Sequence, residues 1–185
     1  MTEPEREVEV KLIGMDAQAF EKELLAHGAV FDVEEHQTNI HLDSSEHPLP
    51  SSAHMRIRLI EVDGKVKKRE WTYKKRLLCE QCRVNDEYTV EITDENALRL
   101  LLQQLGYDKQ ITMHKVRRRY LLADYRIEFD EWDKDSFPFP YIEVEATTPE
   151  RLCAFYSLFS IPKEKVSTLS ISELKAAWEK GTLMI

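Results

Sequence analysis

The chain has 185 residues, 42% of them hydrophobic, enough for a sizeable core in one domain of ordinary size. Twenty-six basic against thirty-four acidic residues leave a net charge of −8, which argues against a protein held to duplex nucleic acid by bulk charge. No apolar run reaches the roughly 20 residues of a membrane helix, MTEPEREVEV is charged where a secretory signal is apolar, and three cysteines make no disulfide framework. A cytoplasmic protein with free thiols and no membrane partner is therefore expected.

In chain order, Arg6 to Leu12 alternates with period two and predicts a strand. Asp16 is placed to cap a helix with Phe20, Leu24 and Leu25 on one face, ending near Gly28. Strands follow at Met55 to Val62 and Glu70 to Leu77, with Asp63-Gly64 between them as a hairpin turn, and again at Val84 to Ile92. Asp94 caps a second helix carrying Leu98, Leu101, Leu102 and Leu105 before Gly106. Three more strands are predicted at Lys115 to Leu122, Tyr125 to Trp132 and Tyr141 to Thr147. Thr148-Pro149 opens a helix through Phe155 and Phe159, and Ser170 with Glu173 forms a capping box for a last one ending by Gly181. No repeat or long linker divides the chain, so residues 1–185 are read as one unit. The pattern predicts an α+β domain, an antiparallel barrel of about eight strands with helices packed outside it.

The charges are unevenly placed: residues 54–83 hold ten basic and four acidic groups within an otherwise acidic chain. Residues two apart on a strand share a face, which sets Glu7, Glu9 and Lys11 together. The same spacing groups Arg56 with Arg58, Thr72 with Lys74 and Arg76, and Lys115 with Arg117 and Arg119. It also groups Glu128 with Asp130, and Glu143 with Glu145. Any one such face is ordinary solvent decoration. Six of them, with like charges at i and i+2, repel unless opposite charge lies between them, and a bound polyanion with a divalent cation would supply it. Arg and Lys suit phosphate oxygens, while paired carboxylates suit Mg²⁺ or Mn²⁺.

Glu7-Val8-Glu9-Val10-Lys11 resembles the ExExK signature of the CYTH proteins, or triphosphate tunnel metalloenzymes. Arg56-Ile57-Arg58 resembles the family's RxR strand, Lys74 its next basic strand, Glu87 its acidic strand and Lys115-Val116-Arg117 its KxR strand; Asp130 and Glu143-Val144-Glu145 complete the order. The resemblance implies an eight-stranded antiparallel tunnel that binds a small-molecule triphosphate and a divalent metal, Mg²⁺ or Mn²⁺. It implies metal ligands among Glu7, Glu9, Glu87, Asp130, Glu143 and Glu145, and phosphate ligands Lys11, Arg56, Arg58, Lys74, Lys115 and Arg117. Glu9 and Lys11 are the catalytic candidates, Lys11 as phosphate ligand or as the base for an attacking water. Some members place a tyrosine on the second strand where His41 stands here; His41 is read as a partly buried, hydrogen-bonded histidine. The family's cyclases carry a longer aromatic-containing segment before ExExK, so hydrolysis is expected. Cyclic AMP formation from ATP and turnover-free polyphosphate binding are the alternatives, for a monomer or homodimer.

Cys79-Glu80-Gln81-Cys82 is a lone CxxC after a strand, read as a hairpin loop because no second pair accompanies it. Other enzyme motifs, such as HExxH, GxSxG, a P-loop or GxGxxG, do not occur. Trp132 shares a face with Asp130 and is expected in packing.

Overall fold

A computed structural model describes residues 3–183. The strands are β1 (Glu5–Ile13), β2 (Val30–Asp43), β3 (Ala53–Val62), β4 (Lys65–Leu77), β5 (Arg83–Glu91), β6 (Lys109–Leu122), β7 (Tyr125–Trp132), β8 (Tyr141–Ala146) and the short β9 (Val166–Ser167). The helices are α1 (Ala17–Ala26), α2 (Glu95–Gln104), α3 (Pro149–Leu158) and α4 (Ile171–Glu179). The sheet runs β5-β4-β3-β2-β6-β7-β8-β1, and β5 pairs with β1, so eight antiparallel strands close into a barrel. β9 continues on the edge of β1 that β5 leaves, pairing Ser167 with Lys11 and Val166 with Leu12. None of the described helices is long and apolar enough to cross a membrane.

Barrel closure sends alternate residues inward and outward. β1 is buried on both faces: Val8, Val10 and Leu12 enter the outer core, while Glu7, Glu9 and Lys11 point into the lumen. The outer core packs Phe20 and Leu24 of α1 and Leu152 and Phe155 of α3 on Ile127, Phe129, Ile142 and Val144 of β7 and β8. A second cluster sets Leu102 of α2 on Ile40, Leu42, Met55 and Ile57, and a third sets Leu174 of α4 on Trp132, Phe137 and Tyr141.

Local signals act where the sequence places them. Asp16 accepts hydrogen bonds from the Gln18 and Ala19 N–H groups, Asp94 from Ala97 and Thr148 from Arg151, and Ser170 with Glu173 closes a full capping box. Asp63 and Gly64 both take positive φ, 52° and 69°, the requirement of a two-residue turn that follows the strand twist.

Several features differ from the sequence reading: β4 begins at Lys65 and β6 at Lys109, five and six residues earlier than the alternation marks. β2 is a 14-residue strand, spanning a stretch where periodicity alone marks no element. On α2 only Leu98 and Leu102 face the barrel, whereas Leu101 and Leu105 of the predicted stripe stay exposed.

Candidate active site

The lumen is a cavity of about 1800 Å³. Every polar face singled out above points toward it, in an order set by strand pairing. Glu9 sits opposite Arg83 on β5 and Glu145 on β8; Lys11 sits opposite Glu143; Glu128 lies between Glu143 and Arg119.

One wall is acidic. Carboxylate oxygens of Glu7, Glu9 and Glu143 lie within 4.8 Å of one another, and this is the group among the described residues that suits a metal ion. Glu7 accepts from Lys74 Nζ at 2.7 Å and from Asn85 Nδ2 at 2.8 Å. Burial works against its charge, but Lys74 wins and holds its carboxyl down at about 2. Glu143 is likewise held low: burial is outweighed by Lys11, at 3.0 Å, and by Arg117, at 3.4 Å. Glu9 is different. Its nearest cations, Arg83 and Lys11, stand at 3.3 and 3.5 Å. Burial, then Glu143, raises its carboxyl to about 8. Three hard oxygen donors crowded until one resists ionisation are a set that a divalent cation fits.

The structure does not bring the other acidic candidates into this group. Asp130 is buried and engaged by Lys115 at 2.6 Å, by both arms of Arg117 at 2.6 Å and by the Tyr141 hydroxyl at 3.0 Å. Glu145 pairs with Arg126, and Glu87 with Lys74 at 3.1 Å and Arg56 at 3.7 Å.

The facing wall, from β3, β2 and β6, is basic and less compensated. Arg58 Nε donates to Asn39 Oδ1 at 3.0 Å, and no carboxylate among the described residues lies within ion-pair distance of Arg58. Burial, with Arg56 and Arg117 nearby, pushes its guanidinium down to about 9. Asn39 Nδ2, His41 Nε2 and Arg56 Nε are buried without partners. This corrects the expectation for His41: its ring nitrogen is unsatisfied, and burial together with Arg56, Arg58 and Lys115 holds it near 4, neutral. His54 lies beside it, ring centroids 6.4 Å apart, and is also kept neutral, by burial and by Arg56 and Lys74.

Lys11 and Lys115 separate. Burial is outweighed at Lys11 by Glu143 and Glu9, which raise its value and keep it charged. At Lys115, burial and the cations Arg117 and Arg58 outweigh Asp130 and lower the amine to about 7. Lys115 also lies 5.0 Å over the Trp132 ring, and Trp132 Nε1 donates to the Tyr141 hydroxyl at 2.9 Å. Trp132 thus supports a lumen lysine, a role beyond packing.

The sequence reading missed several lumen residues. Arg83 and Asn85 share the alternation of Glu87, which was the available signal. Asn39 and Glu35 lie on β2, whose alternation the sequence blurs. Arg126 pairs with Glu145 only through the β7–β8 register.

The structure is a closed antiparallel barrel whose lumen sets a carboxylate cluster against a basic wall, a tunnel protein. The profile described as CYTH domain matches residues 5–162, and the chain belongs to that family. PH1819 from Pyrococcus horikoshii OT3 is similar at 25% identity, over 94% of this chain and 99% of its own, with a TM-score of 0.76. HpAC1 from Hippeastrum, described as a proposed adenylyl cyclase with a dominant triphosphatase activity, is 21% identical over 96% and 97% of the two chains, TM-score 0.62. The Pct1 RNA triphosphatase of Schizosaccharomyces pombe is 13% identical over 97% and 85%, TM-score 0.52. At these last two identities the likeness is one of fold. No curated protein matches the chain.

Proposed function

We propose that the chain, acting as one unit, is a divalent-metal-dependent triphosphatase that hydrolyses inorganic triphosphate or a small organic triphosphate such as thiamine triphosphate. The observation that carries this reading is the asymmetry of the lumen: Arg56, Arg58, Asn39 and His41 keep unspent donors or charge on one wall, facing the Glu7, Glu9 and Glu143 carboxylates on the other. A pure anion-binding module needs the basic wall but gains little from that carboxylate cluster.

In this reading Glu7, Glu9 and Glu143 hold Mg²⁺ or Mn²⁺, which when bound neutralises phosphoryl charge and orients a water. Arg56 and Arg58 clamp phosphate oxygens, and Lys11, Lys74 and Arg117 neutralise charge that spreads over them in the transition state. Glu9 and Lys11 remain catalytic candidates, Glu9 in the metal set and Lys11 as a fixed cation. Lys115, whose amine is lowered to about 7 by burial and by Arg117 and Arg58, is the lysine assigned to take a proton from the attacking water. Asp130 positions Lys115 and Arg117.

The test is phosphate release from inorganic triphosphate, thiamine triphosphate and ATP, each with Mg²⁺ or Mn²⁺, with cyclic AMP assayed in the ATP reactions. Metal-dependent release without cyclic AMP is expected. Cyclic AMP with pyrophosphate would replace hydrolysis by cyclisation, and a ligand-induced rise in Tm without turnover would leave a binding module.

A further inference from the structure

The loop joining β4 to β5 carries Cys79-Glu80-Gln81-Cys82, and neither the metal cluster nor the phosphate wall uses it. It is the β4–β5 hairpin loop that the sequence implies, closed by the Leu77–Val84 pair. The two sulfurs lie 3.0 Å apart in a thiol–thiol hydrogen bond, with Cys82 buried and Cys79 half-buried beside the fully exposed Leu78. The pair is not half of a metal site, because among the described residues only Glu7, Glu9 and Glu143 come close enough together to hold an ion. Cys153, the remaining thiol, is exposed on α3.

The two thiols are chemically unequal. The Cys79 thiol is shifted down, chiefly by the hydrogen bond from the Cys82 sulfhydryl, against slight burial, with the Gln81 and Cys82 N–H groups also turned toward it. The Cys82 thiol is pushed up to about 12 by burial and by that same hydrogen bond. A half-buried sulfur whose thiol is shifted down, 3.0 Å from a buried partner, is the arrangement of an attacking and a resolving cysteine.

We propose that Cys79 and Cys82 are a redox-active dithiol that exchanges with small-molecule disulfides such as oxidised glutathione. The Cys79 thiolate attacks one sulfur of the disulfide, forming a mixed disulfide as the S–S bond breaks and the first thiolate leaves. The Cys82 sulfur, losing its proton, then attacks Cys79 Sγ and expels the second thiolate. Two protein thiols are oxidised by two electrons, one small disulfide is reduced to two thiols, and the two protein protons end on those thiols. The pair packs on the outer core, outside the lumen, with Glu150 and Cys153 of α3 near Cys82. Arg83, the next residue, reaches Glu9 at 3.3 Å and Glu173 of α4 at 3.8 Å.

The experiment uses the full chain carrying Cys153→Ser, incubated with oxidised glutathione, alkylated with iodoacetamide and weighed by mass spectrometry. The expected product has lost two hydrogens, holds no glutathione, leaves Cys79 and Cys82 unalkylated, and regains both thiols with dithiothreitol. Adding Cys82→Ser should trap one glutathione on Cys79. Full alkylation of both cysteines after incubation, or a lasting glutathione adduct while Cys82 is present, would overturn the proposal, and both are read on a protein that keeps the native pair.

Discussion

Arg58→Met should make the ligand-free protein more stable and a worse triphosphate binder at once. In the folded chain burial, Arg56 and Arg117 lower the Arg58 guanidinium from 12.5 to about 9. Each pKa unit corresponds to about 1.4 kcal/mol against the charged form, so the charge costs the empty fold at most about 5 kcal/mol. Water in the lumen screens part of this, leaving about 2–3 kcal/mol at an effective dielectric near 20. Methionine recovers that amount and retains apolar bulk, while Asn39 Oδ1 loses a hydrogen bond worth about 1 kcal/mol. The net expectation is a gain of about 1–2 kcal/mol in urea denaturation without ligand. Because the folded value lies below the unfolded one, the penalty is complete below about pH 9, so a measurement at pH 7.5 captures it. Binding moves the other way: a charge-assisted hydrogen bond to phosphate is worth about 1.5–3 kcal/mol, so Kd for inorganic triphosphate, by calorimetry, should rise roughly 10- to 150-fold. A variant that is less stable when empty and binds triphosphate unchanged would refute the assignment of Arg58 as the uncompensated cation of the lumen.

Glu9→Gln should abolish metal-dependent hydrolysis with the metal-free fold intact by circular dichroism, since the amide replaces a carboxyl already raised to about 8; full activity would remove Glu9 from the metal site. Lys115→Met should delete a rising limb centred near pH 7 in kcat/KM, because that profile reports groups of the free enzyme; a limb that survives the substitution assigns the base elsewhere. His41→Gln should flatten the acid side of the stability curve. His41 stays neutral in the fold down to about 4, whereas the unfolded chain takes up a proton below 6.5, so the wild type loses stability as pH falls through that window. The loss is at most about 2 kcal/mol between pH 7.5 and 5, read by denaturation at both values, and equal slopes in the two proteins would contradict it.

Much of the fold was legible because most strands alternate cleanly and every helix carries its cap. Val8, Val10 and Leu12 against Glu7, Glu9 and Lys11 mark β1 unmistakably, and Asp16, Asp94, Thr148 and Ser170 each start the helix the sequence assigns to them. β2 escaped because both its faces are polar over much of its length. Glu35, Gln37 and Asn39 turn inward while Glu34, His36 and Thr38 turn out, so no period-two contrast survives until Ile40 and Leu42. The charge pattern needs the finer correction. Like charges two apart on one strand call for opposite charge between them, and closure of the barrel supplies most of it internally. Lys74 is set on Glu7 and Glu87, Arg119 on Glu128 and Glu35, and Arg126 on Glu145. These partners come from different strands, and the register of a staggered barrel decides them, which no single strand encodes. What pairing leaves over is therefore more informative than the number of charges. Arg58 without a carboxylate, Asn39, His41 and Arg56 with idle polar atoms, and Glu9 resisting ionisation mark where the lumen is incomplete, and those are the positions at which a triphosphate and a cation have something to gain.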